Sequence, residues 1–150
     1  MYKADRDYDV IVWGATGFTG SLVAEYLLAQ YGVDGPLRWA IAGRSASKLT
    51  TLRQELGPKA ESLPSIIADS FDEQKLSELV ASTRVVISTV GPYAKYGSPL
   101  VAACVEHGTH YCDLAGEAQW IRQMIDEHHD AAVGSGARIV HCCGFDSVPM

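Results

Sequence analysis

The chain predicts an α/β fold in which a parallel six-stranded sheet is doubly wound, with helices on both faces. Two observations carry this. Short apolar runs alternate with helix-periodic stretches along the whole chain, joined by short connections, and that rhythm requires right-handed crossovers. The first apolar run, Val10-Ile11-Val12-Trp13, enters a glycine-spaced turn, Gly14-Ala15-Thr16-Gly17-Phe18-Thr19-Gly20, and the turn opens a helix. Six strands in two halves fit the order 3-2-1-4-5-6, the Rossmann arrangement for binding NAD(P).

The elements follow in order. Met1 to Asp9 is polar and reads as a frayed lead-in. Val10–Trp13 is apolar at successive positions, as a strand buried on both faces should be. Ser21–Tyr31 places Leu22, Val23, Tyr26 and Leu27 at helical spacing and is ended by Gly32, Gly35 and Pro36. Leu37–Ala42 is the second strand. Ser45 or Ser47 can cap a helix bearing Leu49, Leu52 and Leu56, which stops at Gly57-Pro58. Ser65–Ala68 is the third strand, and Asp72 can cap a helix with Leu76, Leu79 and Val80. Arg84–Val90, the most β-branched run, reads as a central fourth strand broken by Gly91-Pro92. A helix over Ser98–His107 buries Leu100, Val101, Cys104 and Val105. Thr109–Cys112 is the fifth strand. Ala115–Val133 is a long helix with Trp120, Ile121, Met124 and Ile125 inward, closed by Gly134 and Gly136. Arg138–Cys143 is the sixth strand.

Composition bounds the function. At 150 residues the chain is the size of one domain and can bury a sizeable core. The net charge is −6 with no lysine-arginine block, which argues against nucleic acid as a partner. No apolar run approaches the roughly 18 residues of a transmembrane segment, and no secretory signal precedes the first strand. A cytoplasmic protein is therefore expected, with peripheral membrane association left open. Cys104, Cys112, Cys142 and Cys143 form no C-x-x-C pair and read as reduced, mostly buried thiols. His107, His110 and His141 lie near them in sequence, but the spacings match no common zinc pattern, so no metal is expected.

The glycine turn carries the chemistry. Gly14 permits the tight turn, Gly17 lets a pyrophosphate approach the backbone, and Gly20 lets helix and strand pack closely. N–H groups at the helix start, from Ala15 through Thr19, face the phosphate with the helix dipole behind them. An NAD site places Asp or Glu after the second strand to bond the ribose 2′ hydroxyl. This chain has Ala42-Gly43-Arg44-Ser45, with Lys48 one turn on. Arg44 can hold a 2′ phosphate by a bidentate fork and Ser45 can add a hydrogen bond, so NADP(H) is expected in preference to NAD(H). Asp69 can bond the adenine amino group or cap the following helix. After the fourth strand, Val90, Gly91, Pro92 and Tyr93 should run along the pyrophosphate and nicotinamide ribose. Tyr93 and Tyr96 either serve the nicotinamide end or merely cover the sheet.

Five segments in this order, Gly14-Ala-Thr-Gly-Phe-Thr-Gly, Ala42-Gly-Arg-Ser, Val90-Gly-Pro-Tyr-Ala-Lys-Tyr-Gly, Tyr111-Cys-Asp-Leu-Ala-Gly-Glu and Cys143-Gly-Phe-Asp-Ser-Val-Pro, resemble the saccharopine dehydrogenase-like oxidoreductases. The resemblance covers nearly the whole chain and is closest to the branch with trans-acting enoyl reductases. It implies an NADP(H)-dependent oxidoreductase that reduces a C=C or C=N bond, acting on a small molecule of lipid-like character. It also implies a substrate domain C-terminal to Met150 and absent from this chain. On that expectation the fragment binds cofactor without turning over substrate. A homo-oligomer is compatible with the pattern.

Hydride transfer also calls for a proton donor. No tyrosine has lysine four residues on, so the short-chain dehydrogenase pair is missing. Tyr93, Tyr96, Asp146 and Glu117 are the candidate donors. Asp113 and Glu117 can instead orient the loop after the fifth strand, and Asp146 can cap a following helix. Cys143 lacks a partner base for a nucleophilic role. Two other functions remain open: a non-enzymatic NADP(H) sensor, and a saccharopine-type reductase of amino-acid imines.

Overall fold

The computed structural model describes residues 6–144 and Ser147. β1 (Tyr8–Trp13) runs down the middle of the sheet between β2 (Trp39–Gly43) and β4 (Thr83–Ser88). β3 (Ser65–Ile67) pairs outside β2, β5 (His110–Asp113) outside β4, and β6 (Ile139–Val140) outside β5. Every pairing is parallel and the order is 3-2-1-4-5-6, as the alternation predicts.

The period of two along β1 divides the core. Val12 faces α1 (Phe18–Tyr31) and α2 (Ala46–Leu56), where it meets Ala24, Leu27, Trp39, Ile41, Leu49 and Leu52. Ile11 and Trp13 face α3 (Glu73–Ala81), α5 (Ser98–His107) and α6 (Ala118–Ser135) among Leu76, Val80, Val101, Tyr111 and Met124. Between β4 and α5 lies a four-residue helix, α4 (Tyr93–Tyr96), which periodicity does not reveal.

Several boundaries and faces differ from expectation. α1 begins at Phe18, three residues early, and packs through Gly20, Ala24, Leu27 and Leu28. Leu22 and Tyr26, expected inward, are exposed. α6 begins at Ala118 and buries Trp120 and Met124, while Ile125 is exposed. β6 has only two residues, because Cys142 takes a positive φ of 60° and its N–H turns to Asp113 Oδ1 at 3.1 Å. Cys104 alone of the four cysteines is fully buried; Cys143 is exposed, and all four are free thiols. Ser45 rather than Ser47 caps α2, and Asp72 caps α3.

The lead-in is ordered where it is described. Tyr8 and Asp9 belong to β1. Arg6 is 6% exposed, and among the described residues no carboxylate pairs with it. Its guanidinium donates to the carbonyls of Val80, Thr83 (2.6 Å) and His107 (2.8 Å) and to Thr109 Oγ1 (2.6 Å). Val80 and His107 lie in the last turns of α3 and α5, where helix dipoles concentrate negative potential and carbonyls lack intrahelical donors.

Candidate functional site

The parallel register aligns the C-terminal ends of the strands. Trp13 pairs with Ala42 on one side and Ser88 on the other, and Ser88 pairs with Asp113. Gly14, Gly43 and Thr89 therefore stand level, at the edge where doubly wound sheets hold ligands, beside the β1/β4 crossover switch.

The turn after β1 is pinned from both sides. The N–H groups of Gly14 and Ala15 donate to Ala42 O at 3.0 and 3.2 Å. Thr89 Oγ1 donates to the carbonyls of Trp13 (3.0 Å) and Gly14 (3.1 Å). Periodicity does not single out Thr89; its signal is a second hydroxyl, after Ser88, closing the β-branched central strand. Gly14 has φ +82°, and a Cβ there would fall 2.5 Å from Val90 Cγ2. At Gly20 a Cβ would overlap Gly14 O and lie 2.8 Å from Ala15 Cα. Gly17 differs. It is the exposed N-cap of α1, at φ −79° and ψ 170°, and a Cβ there would meet nothing nearer than Gly14 O at 3.5 Å.

No side chain caps α1 and no acidic residue occupies its first turn. The N–H groups of Phe18 and Thr19 have no intrahelical acceptor, and both residues are exposed. A glycine turn that admits close approach below a helix start with free donors fits a phosphate, which brings the acceptors and the negative charge that α1 lacks.

At the end of β2, Arg44 is exposed beside the turn. Ser45 Oγ accepts the Lys48 N–H at 3.4 Å as the α2 cap, and Lys48 is exposed. Asp69 does not cap α3: its Oδ1 accepts the Phe71 N–H at 3.0 Å, and its side chain belongs to the β3–α3 loop. That loop carries Phe71, exposed and 5.8 Å from the ring of Tyr96, over which Lys95 Nζ sits at 5.0 Å.

Beyond β4 the aromatic residues part company. Tyr93 is buried, stacked on Trp120 at 5.4 Å, and its hydroxyl donates to Ser88 O at 3.1 Å. Burial raises its pKa to about 12. The hydroxyl is thus committed to the sheet rather than offered as a proton donor, which corrects that expectation for Tyr93. Tyr96 is half-buried. Glu117 accepts the N–H groups of Tyr93 (2.6 Å) and Ala94 (3.1 Å), so the carboxylate from the β5–α6 loop holds the N-terminus of α4. Asp146 lies outside the described residues. Gly91 and Pro92 are exposed in this loop, after half-buried Val90.

Asp113 sits at the centre of a buried network. Oδ1 accepts the N–H groups of Ala115 (3.0 Å) and Cys142 (3.1 Å); Oδ2 accepts Tyr111 OH (2.8 Å) and His141 Nδ1 (2.7 Å). Burial alone would raise its pKa, but the bonds from His141, the Ala115 N–H and Tyr111 outweigh that and hold it below the usual carboxylate value. Asp113 therefore orients the loops after β5 and β6. A folded-state pKa below the unfolded one means that this stabilisation is present above about pH 4 and lost as pH falls through the lower folded value. Asp113→Asn should lower stability by about 2–4 kcal/mol at pH 7, read from the urea midpoint, and the deficit should shrink on acidification. An unchanged midpoint would show that the network is dispensable.

Among the described residues, no group of three or more His, Cys, Asp or Glu is placed to hold a metal ion. No helix among them is long and apolar enough to cross a membrane.

Comparison with known proteins agrees with this geometry. Residues 10–140 match the family model of the saccharopine dehydrogenase NADP binding domain. The chain is 48% identical over 149 residues to a trans-acting enoyl reductase of Mycobacterium tuberculosis and 47% identical over 149 residues to one of Mycobacterium leprae. In each case 99% of the chain aligns with 35% of the relative, so the chain spans about a third of the length of these relatives. Among solved structures it is similar to saccharopine dehydrogenase (L-Glu forming) of Saccharomyces cerevisiae, with TM-score 0.74, 20% identity, and 93% of this chain covering 28% of that one. It is also similar to the triphenylmethane reductase of a Citrobacter species complexed with NADP(H), with TM-score 0.64, 18% identity, and 89% of this chain covering 48% of that one. At these identities the solved structures bear on the fold.

Proposed function

Starting from a chain that belongs to the saccharopine dehydrogenase NADP-binding domain family, we propose that it is the cofactor-holding part of an NADP(H)-dependent reductase of enoyl groups. The observation that carries this is the uncapped start of α1 above the open Gly17 position, with Arg44 exposed at the neighbouring strand end. Gly14, Ala15 and Thr16 form the turn, and the N–H groups of Phe18, Thr19 and Gly20 receive the pyrophosphate. Arg44, Ser45 and Lys48 receive the 2′ phosphate. Asp69 and Phe71 border the adenine end. Val90, Gly91 and Pro92 line the nicotinamide side, with Tyr93 shaping that loop from beneath and Tyr96 kept as the candidate donor. When bound, the cofactor supplies the hydride. The names of the mycobacterial relatives support a conjugated C=C bond as acceptor, and a lipid-like, small-molecule substrate is consistent with that.

The 2′ phosphate assignment gives a direct test. Wild type should bind NADPH more tightly than NADH. Arg44→Ala should weaken NADPH by about 10- to 100-fold, the loss of one charge-assisted fork, and leave NADH unchanged. Equal affinities in wild type would overturn the preference for NADP(H). For the reaction, a chain spanning the full length of its mycobacterial relatives should oxidise NADPH in the presence of enoyl thioesters. Intact NADPH binding with no oxidation of any acceptor would instead favour a sensor.

A further inference from the structure

We propose that the second face of β4, β5 and β6 is the docking site of a helix supplied by the part of the protein outside residues 1–150. This rests on reading the chain as one part of a longer protein, and not on the identity of the cofactor. All-parallel sheets occur with both faces covered. Over β4 to β6 only one face is. α3, α5 and α6 pack on the side of Val86, Tyr111 and Ile139. α1 and α2 take the opposite side, but lie over β1 and β2. Parallel partners point the same way, so the register identifies what that side carries further along the sheet. Val12, which faces α1 and α2, pairs with Ile87; Ile87 pairs with Cys112, Cys112 with Val140, and Val85 with His110. Among the described residues, neither Val85 nor Ile87 joins either core. Both are half-buried, as are His110 and Cys112, and Val140 is 50% exposed.

A sheet face meant for water alternates apolar inward with polar outward. β4 does not: Val85, Val86 and Ile87 are apolar in succession, the pattern of a strand covered twice. Size selects the occupant. β4 and β6 lie about 10 Å apart, and Val85 and Ile87 about 7 Å along the strand. A helix with its side chains is about 10 Å across and covers that footprint. The open area is on the order of 100 Å², whereas a stable dimer buries about 800 Å² on each partner. A helix tethered in the same chain needs no such area, because tethering replaces the concentration that a free partner must supply. The mycobacterial relatives have the length to provide one, since this chain aligns with 35% of each. The docked face of that helix should be apolar and uncharged, to match Val85, Ile87 and Val140.

Cys112, in the middle of this face, is a native reporter. Its labelling by N-ethylmaleimide, followed by mass spectrometry without cofactor, is compared between the 150-residue chain and a chain spanning the full length of its mycobacterial relatives. Cys112 should react about tenfold more slowly in the longer chain, the protection given by a packed segment. Val140→Lys should leave the melting temperature of the 150-residue chain unchanged, because position 140 is exposed on an edge strand there. In the longer chain the same lysine would be buried, so it should displace the helix and restore the labelling by about tenfold. Three results would overturn the proposal: equal labelling at both lengths; protection of Cys112 in the longer chain that Val140→Lys leaves intact; or protection in the 150-residue chain that grows with its concentration, which assigns the face to a second copy. NADPH titration of the same two chains judges the cofactor reading separately.

Discussion

Gly17→Ala is expected to keep the fold and lose NADPH. The backbone of Gly17 is in the extended region that any residue adopts, and a Cβ there meets only Gly14 O at an ordinary 3.5 Å. Alanine narrows the unfolded ensemble but is a poorer N-cap than glycine, and the two effects offset, so stability should change by less than about 1 kcal/mol. If a pyrophosphate lies against the turn, the same methyl group occupies its place, and affinity should fall by about 100-fold or more, about 2.7 kcal/mol. Gly20→Ala provides the contrast. Its Cβ would overlap the carbonyl of Gly14 and lie 2.8 Å from Ala15 Cα, all backbone that cannot yield. That variant should unfold at markedly lower temperature whether or not cofactor is present. Calorimetric titration with NADPH beside thermal melts separates the two. A Gly17→Ala protein that binds NADPH normally would remove the phosphate from this turn.

Arg6→Met should lower the melting temperature by on the order of 10 °C. Methionine fills much of the volume but removes the guanidinium donors from the carbonyls of Val80, Thr83 and His107, leaving Val80 O the Thr109 hydroxyl at 2.7 Å. A buried acceptor that loses a charged donor costs about 1–3 kcal/mol, several carbonyls lose one here, and in a chain of this size each kcal/mol shifts the midpoint by about 2–4 °C. Arg6→Lys should recover only part of this, because a single ammonium cannot fork between the ends of α3 and α5. Melts at neutral pH test it. A methionine variant as stable as wild type would mean that the helix ends are satisfied in some other way.

Arg6 also marks the limit of what sequence reading reaches. Its partners are backbone carbonyls and one hydroxyl, and no residue pattern advertises them. The alternation of elements, by contrast, was legible because each strand is buried on both faces and each crossover helix carries its own apolar stripe. α1 is the exception. It is apolar on nearly every side, so no period marked its buried face, and small residues, Gly20 and Ala24, turned out to face the sheet where Leu22 and Tyr26 were expected. The glycine turn was legible because its backbone geometry excludes other residues at Gly14 and Gly20. Between the two roles open to Tyr93 the residue pattern gives no choice, because the stack on Trp120 and the bond to Ser88 depend on α4, a helix too short to leave a period. His141 was noticed only as a metal candidate, since its pairing with Asp113 joins residues 28 apart in the chain.

The clamp at Arg6 has a consequence for biosynthesis. Arg6 leaves the ribosome well ahead of Thr109, one of its acceptors, which lies 103 positions later. At about 5–20 residues per second, that separation amounts to roughly 5–20 s of translation. During that interval the guanidinium has no buried site, and the lead-in and β1 wait in solvent for α3, β4 and α5. A nascent-chain arrest series should therefore show protease resistance arriving in one late step, once Thr109 has cleared the exit tunnel, rather than accumulating strand by strand.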